Sequence, residues 1–317
     1  MESPSPTRVL VTGCSTGIGR GLALEFHARG CIVLATARRA ASIADLEKNG
    51  IQIAEVDVVK PQTLQAAVKQ FGAVDIVVCN AGMASFQPLV DQPLSTMQAV
   101  IDTNVIGVMA TIQAVADGMM KRKSGTIVVI GSVSAAMVTP YAGAYCASKA
   151  AVAAMCEALH MELAPFDVHV MHVITGSVQS NFSNAALAHS PTLPEESHYA
   201  PIADKVEARA KMSQNPAVCI TPESYARGVC DAALSPRPPG VLLGGGNVGK
   251  FHFYGHWMPR SLLRKQMVAG FGLNDLYAKL HDGKPPPSSS STSSWLPRIA
   301  ALGAVAALGY AVMKVRS

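Results

Sequence analysis

Tyr145 and Lys149 stand four residues apart in the run Tyr145-Cys146-Ala147-Ser148-Lys149. On a helix that spacing puts both side chains on one face. A phenol with a pKa of ~10 is a poor proton carrier near neutrality. A neighbouring ammonium favours the phenolate and lowers that pKa. Ser132 lies upstream, just past an apolar run, where its hydroxyl could hold a carbonyl oxygen beside the phenol. The chemistry this predicts is proton transfer to or from an oxygen held between Ser132 and Tyr145.

A second group of residues suits an anion. Thr12-Gly13-Cys14-Ser15-Thr16-Gly17-Ile18-Gly19 lies between an apolar run and a helical pattern. Glycines let the backbone approach a pyrophosphate, and a helix start offers unpaired N–H groups to it. Gly13, Ser15, Thr16, Gly17, Ile18 and Gly19 are the candidate contacts. The spacing, T-G-x-x-x-G-x-G, departs from the G-x-G-x-x-G dinucleotide fingerprint. The next apolar run ends in Ala35-Thr36-Ala37-Arg38-Arg39. An acidic residue there would accept a hydrogen bond from a ribose 2′-hydroxyl, whereas arginine pairs with a 2′-phosphate. Arg38, assisted by Arg39, therefore predicts NADP(H).

These groups need a scaffold, and the apolar pattern supplies one. Residues 8–12, 31–35, 51–56, 74–79, 126–130, 168–174 and 240–243 read as short buried strands. Helical periodicity covers 18–29, 42–49, 61–71, 94–121, 145–163 and 221–234. Near-continuous apolar strands alternating with helices predict an α/β fold, a Rossmann-type doubly wound parallel sheet with helices on both faces. Residues 181–216 turn polar and Pro-containing after the strand nearest the site, which suits a mobile substrate lid. The expected organisation is a disordered 1–6, a catalytic domain over 7–250, an amphipathic interfacial segment over 251–281 (with an ordinary terminal helix packed on the core as the alternative), a Pro/Ser linker over 282–294 and a membrane anchor over 295–317.

Composition supports a folded domain with an unusual tail. Of 317 residues, 49% are hydrophobic and 15% charged, which excludes global disorder. The net charge is +5, yet residues 251–317 alone hold eight Lys/Arg against two Asp/Glu. The basic excess thus sits beside the apolar tail, which favours a membrane surface over nucleic acid. Residues 299–313 carry no charge; at ~1.5 Å per residue they span roughly 22 Å, short of the ~30 Å hydrocarbon core. Trp295, Lys314 and Arg316 could extend them to the interface, giving a short tail anchor; a docking or oligomerisation helix is the alternative. Seven cysteines with no C-x-x-C pair read as buried free thiols in a reducing compartment. No signal peptide is expected, because the first apolar run breaks at Thr12-Gly13. His252 and His256 have ligand spacing, but Gly255 and Pro259 argue against a regular helix and no further ligand completes a set, so no metal is expected.

Over residues 7–245 the chain resembles the short-chain dehydrogenase/reductase family. The resemblance rests on the Thr12–Gly19 motif, Asp57-Val58, Asn80-Ala81-Gly82 and a tetrad of Asn104, Ser132, Tyr145 and Lys149. It implies that Asp57 and Val58 lie near the adenine. The family's P-G-x-V-x-T segment reads Thr175-Gly176-Ser177-Val178-Gln179-Ser180. Proline is lost and the final hydroxyl kept, which implies nicotinamide contacts from Val178 and Ser180. The implied reaction is carbonyl reduction by NADPH. Tyr145 would act as the acid, Ser132 would bind the substrate oxygen, Lys149 would lower the Tyr145 pKa and hold ribose hydroxyls, and Asn104 would hold a relay water.

Stretches at 145–181, 257–263 and 271–276 are similar to NADPH-dependent 1-acyldihydroxyacetone-phosphate reductases, which act on lipids at the endoplasmic reticulum and lipid droplets. Hydroxysteroid and retinol dehydrogenases share the T-G-C-S-x-G-I-G and Y-C-A-S-K stretches, so a steroid, retinoid or secondary-metabolite ketone is the alternative substrate. A non-catalytic cofactor-sensing scaffold is the remote one. The expected partners are a small lipophilic substrate, a membrane or lipid-droplet surface, and further copies of the chain in a homodimer or homotetramer. Nucleic acid is not expected. The catalytic domain would face the cytosol, with the mitochondrial outer membrane and peroxisome as other possible addresses.

Overall fold

Short runs that are apolar on both sides can be buried only inside a sheet covered on both faces. The computed structural model, which describes residues 5–182, 186, 190, 193–212 and 217–285, has that arrangement. Seven parallel strands run β1 Arg8–Val11, β2 Ile32–Ala37, β3 Gln52–Glu55, β4 Ile76–Cys79, β5 Gly125–Ile130, β6 Val168–Thr175 and β7 Val241–Gly244, in the spatial order β3-β2-β1-β4-β5-β6-β7. The helices are α1 Gly17–Ala28, α2 Ala44–Lys48, α3 Pro61–Phe71, α4 Leu94–Ile101, α5 Gly107–Arg122, α6 Gly143–Leu163, α7 Ala203–Lys211, α8 Pro222–Ala233, α9 Val248–Trp257, α10 Arg260–Gly270 and α11 Leu273–Leu280.

Side-chain alternation along the strands divides the core in two. Val9, Val11, Val33 and Ala35 pack with Leu22 and Phe26 of α1 and Val229 of α8. Leu10, Leu34 and Val77 pack on the opposite face with Leu64, Ile112 and Val152 of α3, α5 and α6. Burying each such large side chain is worth about 1.5–3 kcal/mol, and this drives the layering. The doubly wound parallel fold expected from the sequence is present. Strand order reverses between β1 and β4, which opens a crevice at the carboxyl ends of those two strands.

Two features depart from the sequence expectation. Residues 94–121, read as one helix, form α4 and α5 joined by a π-turn, Asp102–Ile106. Inserting one residue into a helical ladder barely disturbs the apolar period, so composition does not reveal it. The stretch Leu94–Arg122 is long and apolar enough to cross a membrane by composition, yet Val108, Ile112, Val115 and Met119 are buried in the core. Second, α9 runs unbroken through Gly255. A Cβ there would lie 2.9 Å from Ala136 Cβ, so this glycine serves close packing and does not break the helix. His252 and His256 accordingly share a helical face, with ring centroids 4.1 Å apart.

The first compact unit extends to Leu273. Leu263 and Phe271 are buried in it, and the Tyr141 hydroxyl donates to the Phe271 carbonyl at 2.8 Å. Trp257 remains exposed. A second unit begins at Asn274 and contains most of α11. Residues 1–4 of the expected disordered N-terminus, most of the expected linker and the expected membrane anchor lie outside the described residues.

Candidate active site

The crevice is built around Thr12 and Asn80, which follow β1 and β4. The Thr12 hydroxyl donates to the Val78 carbonyl at 3.2 Å and accepts the N–H groups of Asn80 and Ala81 at 3.0 and 3.1 Å. The Asn80 amide donates back to the carbonyls of Thr12 and Gly13 at 2.9 and 3.1 Å. Gly13 and Gly17 have φ of +75° and +60°, a region that disfavours any residue with a Cβ. A Cβ on Gly19 would lie 2.3 Å from the Asn80 amide nitrogen and 2.4 Å from the Gly13 carbonyl. A Cβ on Gly17 would lie 2.8 Å from Ser180 Cβ. The turn is therefore pressed between Asn80 and Ser180.

Thr16 precedes α1 without a side-chain cap bond, and Ser15 and Thr16 are exposed, while Ile18 is half-buried and packs against the core. The first N–H groups of α1 thus remain free for an anion, as a dinucleotide pyrophosphate requires. Arg38 and Arg39 are exposed just past β2, with no ion pair among the described residues. Asp57 accepts the Val59 N–H at 3.3 Å and lies 3.9 Å from Lys60 Nζ, with Val58 buried beside it. At Gly82 a Cβ would come within 3.2 Å of the Asn104 side-chain oxygen. Val178 is buried and bridges to Ile220.

Ser132, Tyr145 and Lys149 come together above this crevice. Ser132 follows β5, and its hydroxyl accepts the Ser134 N–H at 3.1 Å. Lys149 Nζ lies 5.8 Å from the Tyr145 ring centroid and donates to the Ile130 carbonyl at 2.8 Å. Burial lowers the Lys149 pKa to about 8. Burial also raises the Tyr145 pKa to about 12; a hydrogen bond with Ser132 and the charge of Arg209 act in the opposite direction. Desolvation prevails over both. The phenol therefore lies above its ordinary value in the resting protein.

Asn104 sits in the π-turn, buried. Its oxygen accepts the Met83 N–H at 2.8 Å, and its amide donates to the Met83 carbonyl at 2.8 Å and to Ser148 Oγ at 2.9 Å. Its side chain thus fastens the loop after β4 to α6 and makes no bond to Lys149. Ser148, one turn from Tyr145, was not singled out from the sequence, although its place in the Tyr-x-x-x-Lys run could have suggested it.

An apolar cluster adjoins the phenol. It contains Ala84, Phe86, Ala142, Cys146, Ala186 and Ala210, with Tyr145 and Phe182 packed against it. The Tyr145 and Phe182 rings are 5.8 Å apart. The described part of 181–216 is fastened to the core: the Phe86 N–H donates to Ser190 Oγ at 2.9 Å, and Ser197 Oγ donates to Asp91 at 2.6 Å. A cavity of about 500 Å³ beside Ser132 is lined by Glu157, His172, His252 and His256 among others, and not by Tyr145 or Lys149. Among the described residues no His/Cys/Asp/Glu group is placed to hold a metal.

Comparison with known proteins agrees with this geometry. Residues 7–190 match the short chain dehydrogenase family. A short-chain dehydrogenase/reductase of Pestalotiopsis microspora is 31% identical over 274 residues, covering 86% of this chain and 96% of the relative. An NADPH-dependent 1-acyldihydroxyacetone phosphate reductase of Schizosaccharomyces pombe is 36% identical over 201 residues, covering 61% of this chain and 68% of the relative. The crystal structure of a short-chain dehydrogenase from Streptomyces avermitilis superposes with a TM-score of 0.73 at 26% identity, covering 86% of this chain and 99% of that one. The site is that of a nucleotide-dependent oxidoreductase. The chain belongs to the short-chain dehydrogenase family.

Two outcomes follow for the site. Gly19→Ala forces the turn off Asn80, costing about 1–3 kcal/mol of stability and weakening dinucleotide binding, as denaturant unfolding and fluorescence titration will read. Gly228→Ala on α8, where a Cβ meets nothing within 4 Å, serves as the tolerated control. For pH, a phenol held up near about 12 stays protonated through the neutral range, so Tyr145 should give no limb there. Lys149 is charged below about 8 and neutral above. Ketone reduction should hold from pH 6 and fall as pH rises through about 8; a rate that keeps climbing past pH 9 contradicts this assignment.

Proposed function

We propose that the protein is an NADPH-dependent carbonyl reductase of a lipophilic ketone, with 1-acyldihydroxyacetone phosphate, reduced to 1-acylglycerol-3-phosphate, as its leading substrate. The observation that carries the reading is the convergence of Ser132, Tyr145 and Lys149 on one side of the crevice, beside an apolar cluster containing Phe86 and Phe182. Arg38 at the end of β2, without an acidic neighbour there, supports NADPH over NADH. The fission-yeast relative, named for NADPH and for the acylated ketone phosphate, supports the substrate.

NADPH, when bound, supplies the hydride that reaches the carbonyl carbon. The Gly13–Gly19 turn and the start of α1 hold its pyrophosphate, and Ser180 lies against the turn to orient the nicotinamide end. Ser132 donates a hydrogen bond to the substrate oxygen and stabilises its growing charge. Tyr145 gives that oxygen its proton. Lys149 offers its ammonium to the ribose hydroxyls and keeps a positive field beside the phenol. The apolar side chains around Tyr145 exclude water from the reacting carbon. The same apolar lining favours a second reading, a phosphate-free steroid or retinoid ketone.

The reading extends to location. The apolar run 299–313 with its basic flank acts as a short tail anchor on the endoplasmic reticulum or a lipid droplet, leaving the catalytic unit in the cytosol. Fractionation tests this. The full chain should sediment with membranes, a chain ending at residue 285 should stay in the supernatant, and equal partition of the two would remove the anchor.

The substrate test is oxidation of NADPH, followed by its absorbance, with a long-chain 1-acyldihydroxyacetone phosphate in mild detergent. Steroid and retinoid carbonyls run beside it, and NADH replaces NADPH in a second series. Tyr145→Phe should lower turnover by about 10²–10⁴-fold. Turnover of the phosphate-free ketones alone moves the protein to the second reading, and a Tyr145→Phe variant that keeps its rate removes the proposed chemistry.

A further inference from the structure

Arg209 lies on α7, outside every motif discussed so far, and borders the apolar cluster against which Tyr145 packs. Its Nε donates to Thr139 Oγ1 at 3.0 Å, and its guanidinium carbon stands 5.0 Å from the centre of the Phe86 ring. Both Thr139 and Phe86 are buried. Thr139 also hydrogen-bonds Cys146, the residue next to Tyr145. The guanidinium is thus fixed at its inner end by two buried side chains that border the Tyr145 cluster.

Among the described residues Arg209 makes no ion pair, although Lys205 and Lys211 of the same helix pair with Asp204 and Glu207. A guanidinium has five N–H groups in a planar fork. One is used on Thr139, and the four on the terminal nitrogens have no acceptor among the described residues. Arg209 is half-buried, and a partly desolvated cation without a carboxylate beside it gains when a ligand brings the opposite charge. Arginine in that state matches the paired oxygens of phosphate and carboxylate.

We propose that Arg209 forms an anion subsite in the substrate pocket, gripping a phosphate or carboxylate that the substrate carries within a few bonds of its reacting carbonyl. The proposal rests on the reading that Tyr145 protonates a substrate oxygen, and it narrows the substrate class to ketones with a nearby oxyanion. A phosphate one methylene from a ketone meets that requirement; so does the carboxylate of a keto acid. The same guanidinium keeps a positive charge near the phenol, so anchoring and proton donation are served by one side chain.

The test uses the full chain in mild detergent, saturated with NADP⁺ so that no turnover occurs. Calorimetric titration compares dihydroxyacetone phosphate, hydroxypyruvate and neutral dihydroxyacetone. The expected result is a preference of about 10- to 100-fold for one of the anions over dihydroxyacetone, the value of a charge-assisted pair. Arg209→Gln should remove that preference, and Arg209→Lys should keep only part of it. Lys211→Gln, a solvent-facing cation on the same helix, should leave it intact. Melting temperatures verify the fold, and Arg209→Lys carries the comparison if the glutamine variant unfolds. A preference that survives Arg209→Gln, or its absence in the unaltered protein, overturns the subsite. A preference for hydroxypyruvate supports Arg209 and identifies the carboxylate as its ligand. An Arg209-dependent preference for phosphate, together with no turnover of the acylated ketone phosphate, removes the lipid substrate and leaves the subsite standing.

Discussion

The reciprocal hydrogen bonding of Thr12 and Asn80 is the constraint on which the active site depends. Parallel strands end with their carbonyls and N–H groups unpaired, and β1 and β4 do so at the point where the sheet changes direction. The Thr12 hydroxyl takes two N–H groups from the loop after β4, and the Asn80 amide returns two bonds to the turn after β1. The two loops are thereby fixed against each other at the mouth of the crevice. Gly19 completes the fit by its lack of a side chain, because any Cβ would displace Asn80. An anion reaching the start of α1 meets N–H groups on a turn that is already fastened, which lowers the ordering cost of binding.

A second set of contacts carries this fixed geometry to the reacting groups. The loop continuing from Asn80 passes Met83, whose backbone is held at both its N–H and carbonyl by Asn104. Asn104 in turn donates to Ser148 on α6, between Tyr145 and Lys149. The dinucleotide-facing loop and the catalytic helix therefore share one buried amide. The π-turn permits this, because it displaces the helical ladder where α4 meets α5 and delivers Asn104 to the loop. In this arrangement Asn104 is a positioning residue for the catalytic helix.

Much of this was legible in the sequence, and what was not has a common cause. Strands buried on both faces show as unbroken apolar runs, and the order of the glycine-rich turn, Arg38, Ser132 and the Tyr-x-x-x-Lys pair indicated both the fold and the site. Asn104 was found only through family resemblance, since the π-turn leaves no compositional trace. Gly255 was read as a helix breaker because sequence gives its conformational freedom and not the approach of Ala136. The spacing of Tyr145 and Lys149 correctly put them together but said nothing of burial, which raises the phenol pKa instead of lowering it. Arg209 was invisible for the same reason. On a short helix that also carries Lys205 and Lys211, only its contacts with Thr139 and Phe86 distinguish it.

Burial also accounts for the electrostatic character of the site. Lys149 and Arg209 are both desolvated cations, and neither has a carboxylate partner among the described residues. His172, near Lys149, is kept neutral by burial and by that charge, its pKa lowered to about 4. The Tyr145 phenol stays protonated at neutral pH. The resting site is therefore positive, and the phenol keeps its proton. Carbonyl reduction places negative charge on an oxygen at that location, so the field opposes the resting state and favours the transition state.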